Sequence, residues 1–165
     1  MQNLLAQLIN KLKGAKRIVI LGVGSELRSD DAAGLIIAKA IQKKISKSKK
    51  PQVNVLLGET APENFTGEIK RLKPTHLIII DAADISKKSG DVVLFNPEDI
   101  KGISFCTHQL PMNIMIDYLK KYIECDVLIV GIQPKSLKVG NKLSKEVKIA
   151  VKYVSNCILE VINKA

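Results

Sequence analysis

Arg17-Ile-Val-Ile-Leu-Gly-Val23, running directly into Gly24-Ser25-Glu26-Leu27-Arg28-Ser29-Asp30-Asp31, is the stretch from which the architecture follows. A continuous apolar run rich in β-branched residues, bounded by a lysine and a glycine, has no polar face to offer water, so it reads as a strand buried on both sides. Upstream, Leu4, Leu5, Leu8, Ile9 and Leu12 recur at helical spacing, which predicts a short amphipathic helix as an N-terminal extension over residues 1–15. Downstream, residues 32–45 alternate apolar and lysine positions in a helix-like pattern, and residues 53–57 form a second short strand. Residues 62–72 suit a helix with Pro62 in its first turn. His76-Leu-Ile-Ile-Ile80 is the second strongly apolar run and ends at Asp81, which marks another central strand.

Residues 92–95 follow too soon for a helical crossover, which takes about a dozen residues or more, so an antiparallel strand is expected there. A helix from His108 to about Glu124, a strand over residues 126–131 and a final helix opening at Ser144 complete the pattern. This alternation predicts an α/β fold in one domain spanning residues 1–165. Its sheet should be mostly parallel, five-stranded and twisted, with one antiparallel strand and helices on both faces. The pattern does not set the strand order.

Composition narrows the function classes. Of 165 residues, 46% are hydrophobic and 25% charged, as in soluble globular domains. The apolar runs fall well short of the ~20 residues that span a bilayer, so no membrane insertion is expected. The N-terminus lacks the basic region, apolar block and cleavage site of a secretion signal, and Cys106, Cys125 and Cys157 form no Cys-x-x-Cys or paired framework. Both features suggest reduced thiols in a cytoplasm. A net charge of +10 invites an anionic partner, but the only dense basic run is residues 43–50, and none of the six aromatic residues interleaves with it to stack bases. Nucleic-acid binding is therefore not expected; the rival to an enzyme is a non-catalytic basic adaptor that holds acidic protein or RNA through that run.

The residues able to carry chemistry gather at one edge. In parallel α/β sheets the ligand crevice lies at the carboxyl ends of the strands. Ser29 or Asp30 can serve as a plain helix cap there, but Asp31, its neighbour, then has no capping task. A dinucleotide fits poorly, since no third glycine follows Gly22 and Gly24 closely and Glu26, Asp30 and Asp31 would repel a pyrophosphate. Asp81 emerges from an apolar strand at the same edge, either capping nearby amides or acting as metal ligand or acid–base group. His108 sits between a strand and a helix. Two carboxylates and an imidazole suit a borderline cation such as zinc or nickel, with positions left open for substrate. Cys106 could be a soft ligand but fits better as a small buried residue, and His76, at the opposite end of its strand, is expected on the surface. There is no nucleophile elbow and no His-Glu-x-x-His helix.

Five segments together resemble the hydrogenase maturation peptidases, which remove a C-terminal extension from the large subunit of nickel-iron hydrogenases. They are Gly22-Val-Gly-Ser-Glu-Leu-Arg-Ser-Asp-Asp-Ala-Ala-Gly34, Thr60-Ala-Pro-Glu-Asn64, Leu77-Ile-Ile-Ile-Asp-Ala82, Thr107-His-Gln-Leu-Pro-Met-Asn113 and Leu128-Ile-Val-Gly-Ile-Gln-Pro134. The resemblance implies that Asp31, Asp81 and His108 bind a metal. By the same resemblance, that metal is expected to be nickel already inserted in the precursor subunit, which would be the partner and substrate. It also implies a hydrolase in which a carboxylate, Asp31 or Asp81, takes part in catalysis. The Thr60 and Thr107 segments are most similar to the branch that serves membrane-bound or hydrogen-evolving hydrogenases. Two departures stand out: Ser25 replaces the usual Asn, and Leu57-Gly58-Glu59 replaces an Asp-Gly-Gly element.

Overall fold

The computed structural model describes residues 4–45, 51–100, 103–105, 111–140 and 142–164. The continuous apolar runs become the central strands: β1 (Arg17–Val23), β3 (His76–Asp84) and β6 (Asp126–Ile132), each almost wholly buried. β2 (Gln52–Glu59) lies parallel to β1 on one side, and β3 lies parallel to it on the other. With β4 (Val92–Phe95) the continuous order is β2-β1-β3-β6-β4. β4 runs antiparallel to β6, pairing Val92 with Ile132 and Phe95 with Ile129, as its short connection requires.

The sheet has six strands where five were expected. The sixth, β5 (Ser104–Phe105), pairs antiparallel with Ala83 and Asp84 off the continuous path. Two residues carry no periodicity, so only the tertiary pairing reveals it. β3 also runs past Asp81 to Asp84, because β6 pairs Asp81 with Gly131 and Ala82 with Ile132 before β5 takes over. Asp81 thus lies within a central strand rather than at its end.

Helices cover both faces. On one, α1 (Leu4–Lys11), α2 (Ala33–Lys44) and α5 (Lys145–Lys164) pack Leu8, Ile37, Ile41, Val154 and Ile158 against Ile18, Ile20, Ile78 and Val130. On the other, α3 (Thr66–Leu72) and α4 (Met112–Lys120) pack Ile69, Met115 and Ile116 against Val19, Leu21, Leu77 and Ile129. The N-terminal helix is no appendage, since Leu4, Leu8 and Leu12 are at most 2% exposed and α1 lies on α5 and β4. The stretch read as a helix over residues 62–72 divides into a 3₁₀ turn, Pro62–Phe65, and α3. Ser144 caps α5, its Oγ accepting from Val147 N–H at 3.4 Å. Among the described residues no helix is long and apolar enough to cross a membrane.

His76 departs from expectation. It is buried, because β3 is central and its first residue is already flanked by Ile18 of β1 and Asp126 of β6. Its Nδ1 lies 3.0 Å from Thr75 Oγ1 and its Nε2 3.6 Å from Asp126 Oδ2, so the ring has polar company.

Candidate active site

The strand order locates the crevice. From β1 the chain passes through α2 to β2 on one side; it then returns through α3 to β3 on the other side of β1, so connections part to opposite faces between β1 and β3. Such a switch point leaves room at the carboxyl ends of the two strands. Asp31 follows β1, and Asp81 lies in β3.

Glycines set how closely the connection can approach. Gly24, at φ +136°, would place a Cβ 1.9 Å from the Asp31 carbonyl oxygen, and a Cβ on Gly34 would fall 2.1 Å from Ile80 O and 2.4 Å from Val23 O. Neither position admits a side chain. The first turn of α2 therefore rests directly on the ends of β1 and β3, bringing the 3₁₀ turn Ser29–Ala32 against β3. Asp30, Asp31 and Asp81 are all fully buried there, and Asp31 Oδ2 accepts from Ser25 N–H at 3.1 Å. On the sheet face shared with Ile79 and Ile129, Asp81 has Gly131 as its strand neighbour, and the space over that glycine is taken by the side chains of Phe95, Ile85 and Ala83.

Asp30 is not the helix cap that its position suggested. Ala32 occupies the cap of α2, with no side-chain cap bond. The Asp30 carboxylate instead accepts from Lys135 N–H and Ser136 N–H at 2.9 Å each, and from Ser144 N–H at 2.6 Å. It thereby binds the loop before α5 to the turn after β1. Ser29 N–H donates to Gly140 O and Gly140 N–H to Leu27 O, so the two loops are joined along their length. Ser29 adopts φ +48°, a conformation costly for a residue with a Cβ, and its Oγ is held by Lys138 O at 2.9 Å. Gln133 makes a similar tie that the sequence did not signal: its Oε1 accepts from Ile85 N–H at 2.8 Å and Lys87 N–H at 3.3 Å, fixing the turn after β3.

His108 and Cys106 lie outside the described residues, as do residues 46–50 of the basic run. Phe105 and Pro111, on either side of the His108 segment, line one cavity of about 240 Å³ with Ile103 and Met112. Among the described residues no three His, Cys, Asp or Glu side chains gather as a metal-holding group. The described thiols are poor nucleophiles: burial pushes Cys125 up to about 12 and raises Cys157 as well. What the edge offers chemically is carboxylate oxygen, as cation ligand or as base.

A sequence model of hydrogenase maturation proteases of the HycI type matches residues 35–161. The chain belongs to the hydrogenase maturation protease family. The hydrogenase 3 maturation protease of Escherichia coli K12 is 35% identical over 82% of this chain and 85% of its own length. A Methanocaldococcus jannaschii protein provisionally named a hydrogenase maturation protease is 37% identical over 95% of each chain. The crystal structure of the [NiFe] hydrogenase maturation protease HycI from Thermococcus kodakarensis superimposes with a TM-score of 0.86 at 29% identity, covering 95% of this chain and 99% of that one.

Within this maturation protease fold, Glu59 has a conformational meaning that the sequence left open. A bulge at Gly58 slips the register, so Gly22 faces Leu57 while Val23 faces Glu59. Glu59 then sits at φ +49° and its carbonyl accepts from Gly24 N–H at 2.9 Å. A glycine would meet this backbone demand without strain; here a glutamate bears it at the rim of the Asp31 turn.

Proposed function

We propose that the chain is an endopeptidase that removes the C-terminal extension of a nickel-iron hydrogenase large-subunit precursor after nickel insertion. The nickel carried by that substrate serves as the recognition element. The observation that supports this most is the placement of two fully buried carboxylates, Asp31 and Asp81, on the two sides of the β1–β3 switch point. Ionised carboxylates are expensive to hold away from water, and a cation arriving with the substrate offsets that cost while the site is engaged.

In this reading Asp31 and Asp81 present oxygen donors and His108 a nitrogen donor to the nickel-bearing segment, a mixed set suited to a borderline cation. Gripping the segment fixes the scissile bond against the rim built by the Asp30-bound loop. A carboxylate accepts the proton of the attacking water as its oxygen joins the carbonyl carbon. The carbon–nitrogen bond then breaks, and the proton passes to the departing amine. The same reading carries with it a single catalytic domain and a cytoplasmic setting, where precursor and protease meet.

The test is incubation of the purified protein with nickel-loaded and nickel-free precursor, followed by mass measurement of the large subunit. Loss of one C-terminal fragment from the nickel-loaded form alone is the expected outcome. Equal cleavage of both forms would remove nickel from the recognition step, and cleavage of neither would refute the reading.

A further inference from the structure

Glu63, inside the segment Thr60-Ala-Pro-Glu-Asn64, carries a carboxylate that no group among the described residues satisfies. Its Oε2 is shut off from water with no hydrogen-bond partner, although the residue as a whole is only half-buried. An acid at a helix start is ordinarily a cap, yet neither the 3₁₀ turn Pro62–Phe65 nor α3 has a side-chain cap bond. A sealed carboxylate oxygen without a donor costs stability, so its retention calls for a donor from outside the chain.

The backbone fixes Glu63 at the carboxyl-terminal edge of the sheet. Ala61 N–H donates to Gly58 O and Asn64 N–H to Ala61 O, each at 3.1 Å, and Thr66 Oγ1 donates to Glu63 O at 2.9 Å. Pro62, its neighbour, rests on the ends of β1 and β2: a Cβ on Gly58 would fall 3.3 Å from Pro62 Cα and 3.2 Å from Gly22 O. Gly22 in turn pairs with Ile80 of β3, the residue before Asp81. Phe65, which closes the turn, packs on the cluster of Leu21, Val23 and Ile79, the sheet face to which Asp81 belongs. Glu63 and Asp81 thus share one face of one edge, each a single residue away from a position that meets Gly22, and neighbouring strands are only ~4.8 Å apart.

We propose that Glu63 is a substrate-binding residue whose carboxylate accepts a hydrogen bond from an N–H donor of the precursor segment engaged at Asp81. The donor class follows from charge: a carboxylate given neither cation nor amide by its own chain is complemented by an N–H group, and such charge-assisted bonds are among the stronger ones. A main-chain amide of the segment and a lysine or arginine side chain offer the same chemistry. The inference rests on the function proposed above.

The test compares wild type with Glu63→Gln, which keeps the size but removes the charge, on nickel-loaded precursor, reading KM and kcat separately together with the melting temperature. KM is expected to rise roughly tenfold with kcat within about twofold and melting no lower than wild type, because the chain makes no bond of its own to this carboxylate. A second precursor, with the lysines and arginines flanking the cleaved bond changed to glutamine, distinguishes the donors. If a basic side chain donates, wild type shows the raised KM on that precursor and Glu63→Gln adds nothing further; if a main-chain amide donates, the tenfold ratio persists on both precursors. An unchanged KM in Glu63→Gln overturns the proposal, whether melting stays level or falls, and so does a fall in kcat at constant KM. Should wild type itself fail to cleave nickel-loaded precursor, it is the proposed function that fails; precursor affinity then still decides Glu63, roughly tenfold weaker binding by Glu63→Gln supporting its role and equal binding overturning it.

Discussion

At the amino-terminal ends of the parallel strands, two cavities of about 420 Å³ each open around His76, Lys120 and Asp126 and around Arg17, Lys70 and Tyr122. At the carboxyl-terminal ends the cavity beside Phe105 and Pro111 is smaller, about 240 Å³, yet three aspartates are fully buried at that edge. The polar groups of the amino-terminal end are satisfied cheaply. Lys70 lies 4.4 Å from the Tyr122 ring centre and 4.7 Å from that of Tyr118, and Lys120 pairs with an exposed Glu98. Contacts of that kind, open to solvent screening, contribute little. Burying carboxylates costs several times more, so the carboxyl-terminal end must hold them by dedicated hydrogen bonds, as at Asp30, or keep them for chemistry. Cavity volume and buried carboxylates thus point to opposite ends of this sheet, and the function proposed above follows the carboxylates.

The sharpest way to break that comparison is a pair of variants, one at each end. Asp81→Asn should lower cleavage of nickel-loaded precursor by roughly 1,000-fold, about 4 kcal/mol in the transition state. His76→Ala should leave it within about twofold while costing about 1–2 kcal/mol of stability through its lost polar contacts. Steady-state cleavage and denaturant titration of both variants decide this; the reverse ranking would move the chemistry to the amino-terminal end.

Asp30→Ala sharpens the contrast within the carboxyl-terminal edge. Removing a fully buried carboxylate that accepts from three part-buried backbone N–H groups should cost about 3 kcal/mol, well above the ~1 kcal/mol of an ordinary helix cap. Urea unfolding measures it, and a loss near 1 kcal/mol would mean that the loop before α5 is held by other contacts. Leu8→Ala disturbs the amino-terminal end from beneath, on the helix whose Asn10 and Lys11 line one of the larger cavities. It should destabilise by about 2.5 kcal/mol, with cleavage by the folded fraction unchanged.

Glu59→Gly is the smallest expected effect and the only favourable one. Relieving φ +49° at a residue with a Cβ should raise stability by about 0.5–1 kcal/mol, visible as a higher melting temperature. A fall in stability would show that the glutamate side chain, not its backbone, serves the rim.

The two ends were unequally legible in the sequence. β1 and β3 were plain, because an apolar run with no polar face has only one place to go, and the short step to β4 fixed its antiparallel sense. Asp31 and Asp81 could be placed at one edge from the apolar runs that precede them, although β3 continues past Asp81 to Asp84. The switch point between β1 and β3 could not, because periodicity records which residues are buried and not which strand lies beside which. Ser29 or Asp30 was considered as a plain helix cap, and the other role of Asp30 could not be seen because its partners, Lys135, Ser136 and Ser144, stand more than a hundred positions away. Helix-start patterns hold no trace of such a bond. His76 was misread for a related reason: the first residue of a strand is exposed at a sheet edge and covered in its centre, and only the strand order says which.

The adjacent pair Asp30 and Asp31 allows the most direct test of the central claim, that the β1–β3 edge cleaves through its buried carboxylates. Asp31→Asn and Asp30→Asn should be incubated with nickel-loaded precursor at a temperature where both are folded, and the large-subunit mass followed with time. The outcome expected is that Asp31→Asn melts near wild type and leaves the precursor intact, while Asp30→Asn melts lower and still releases the C-terminal fragment. Processing at the wild-type rate by Asp31→Asn would contradict the claim outright.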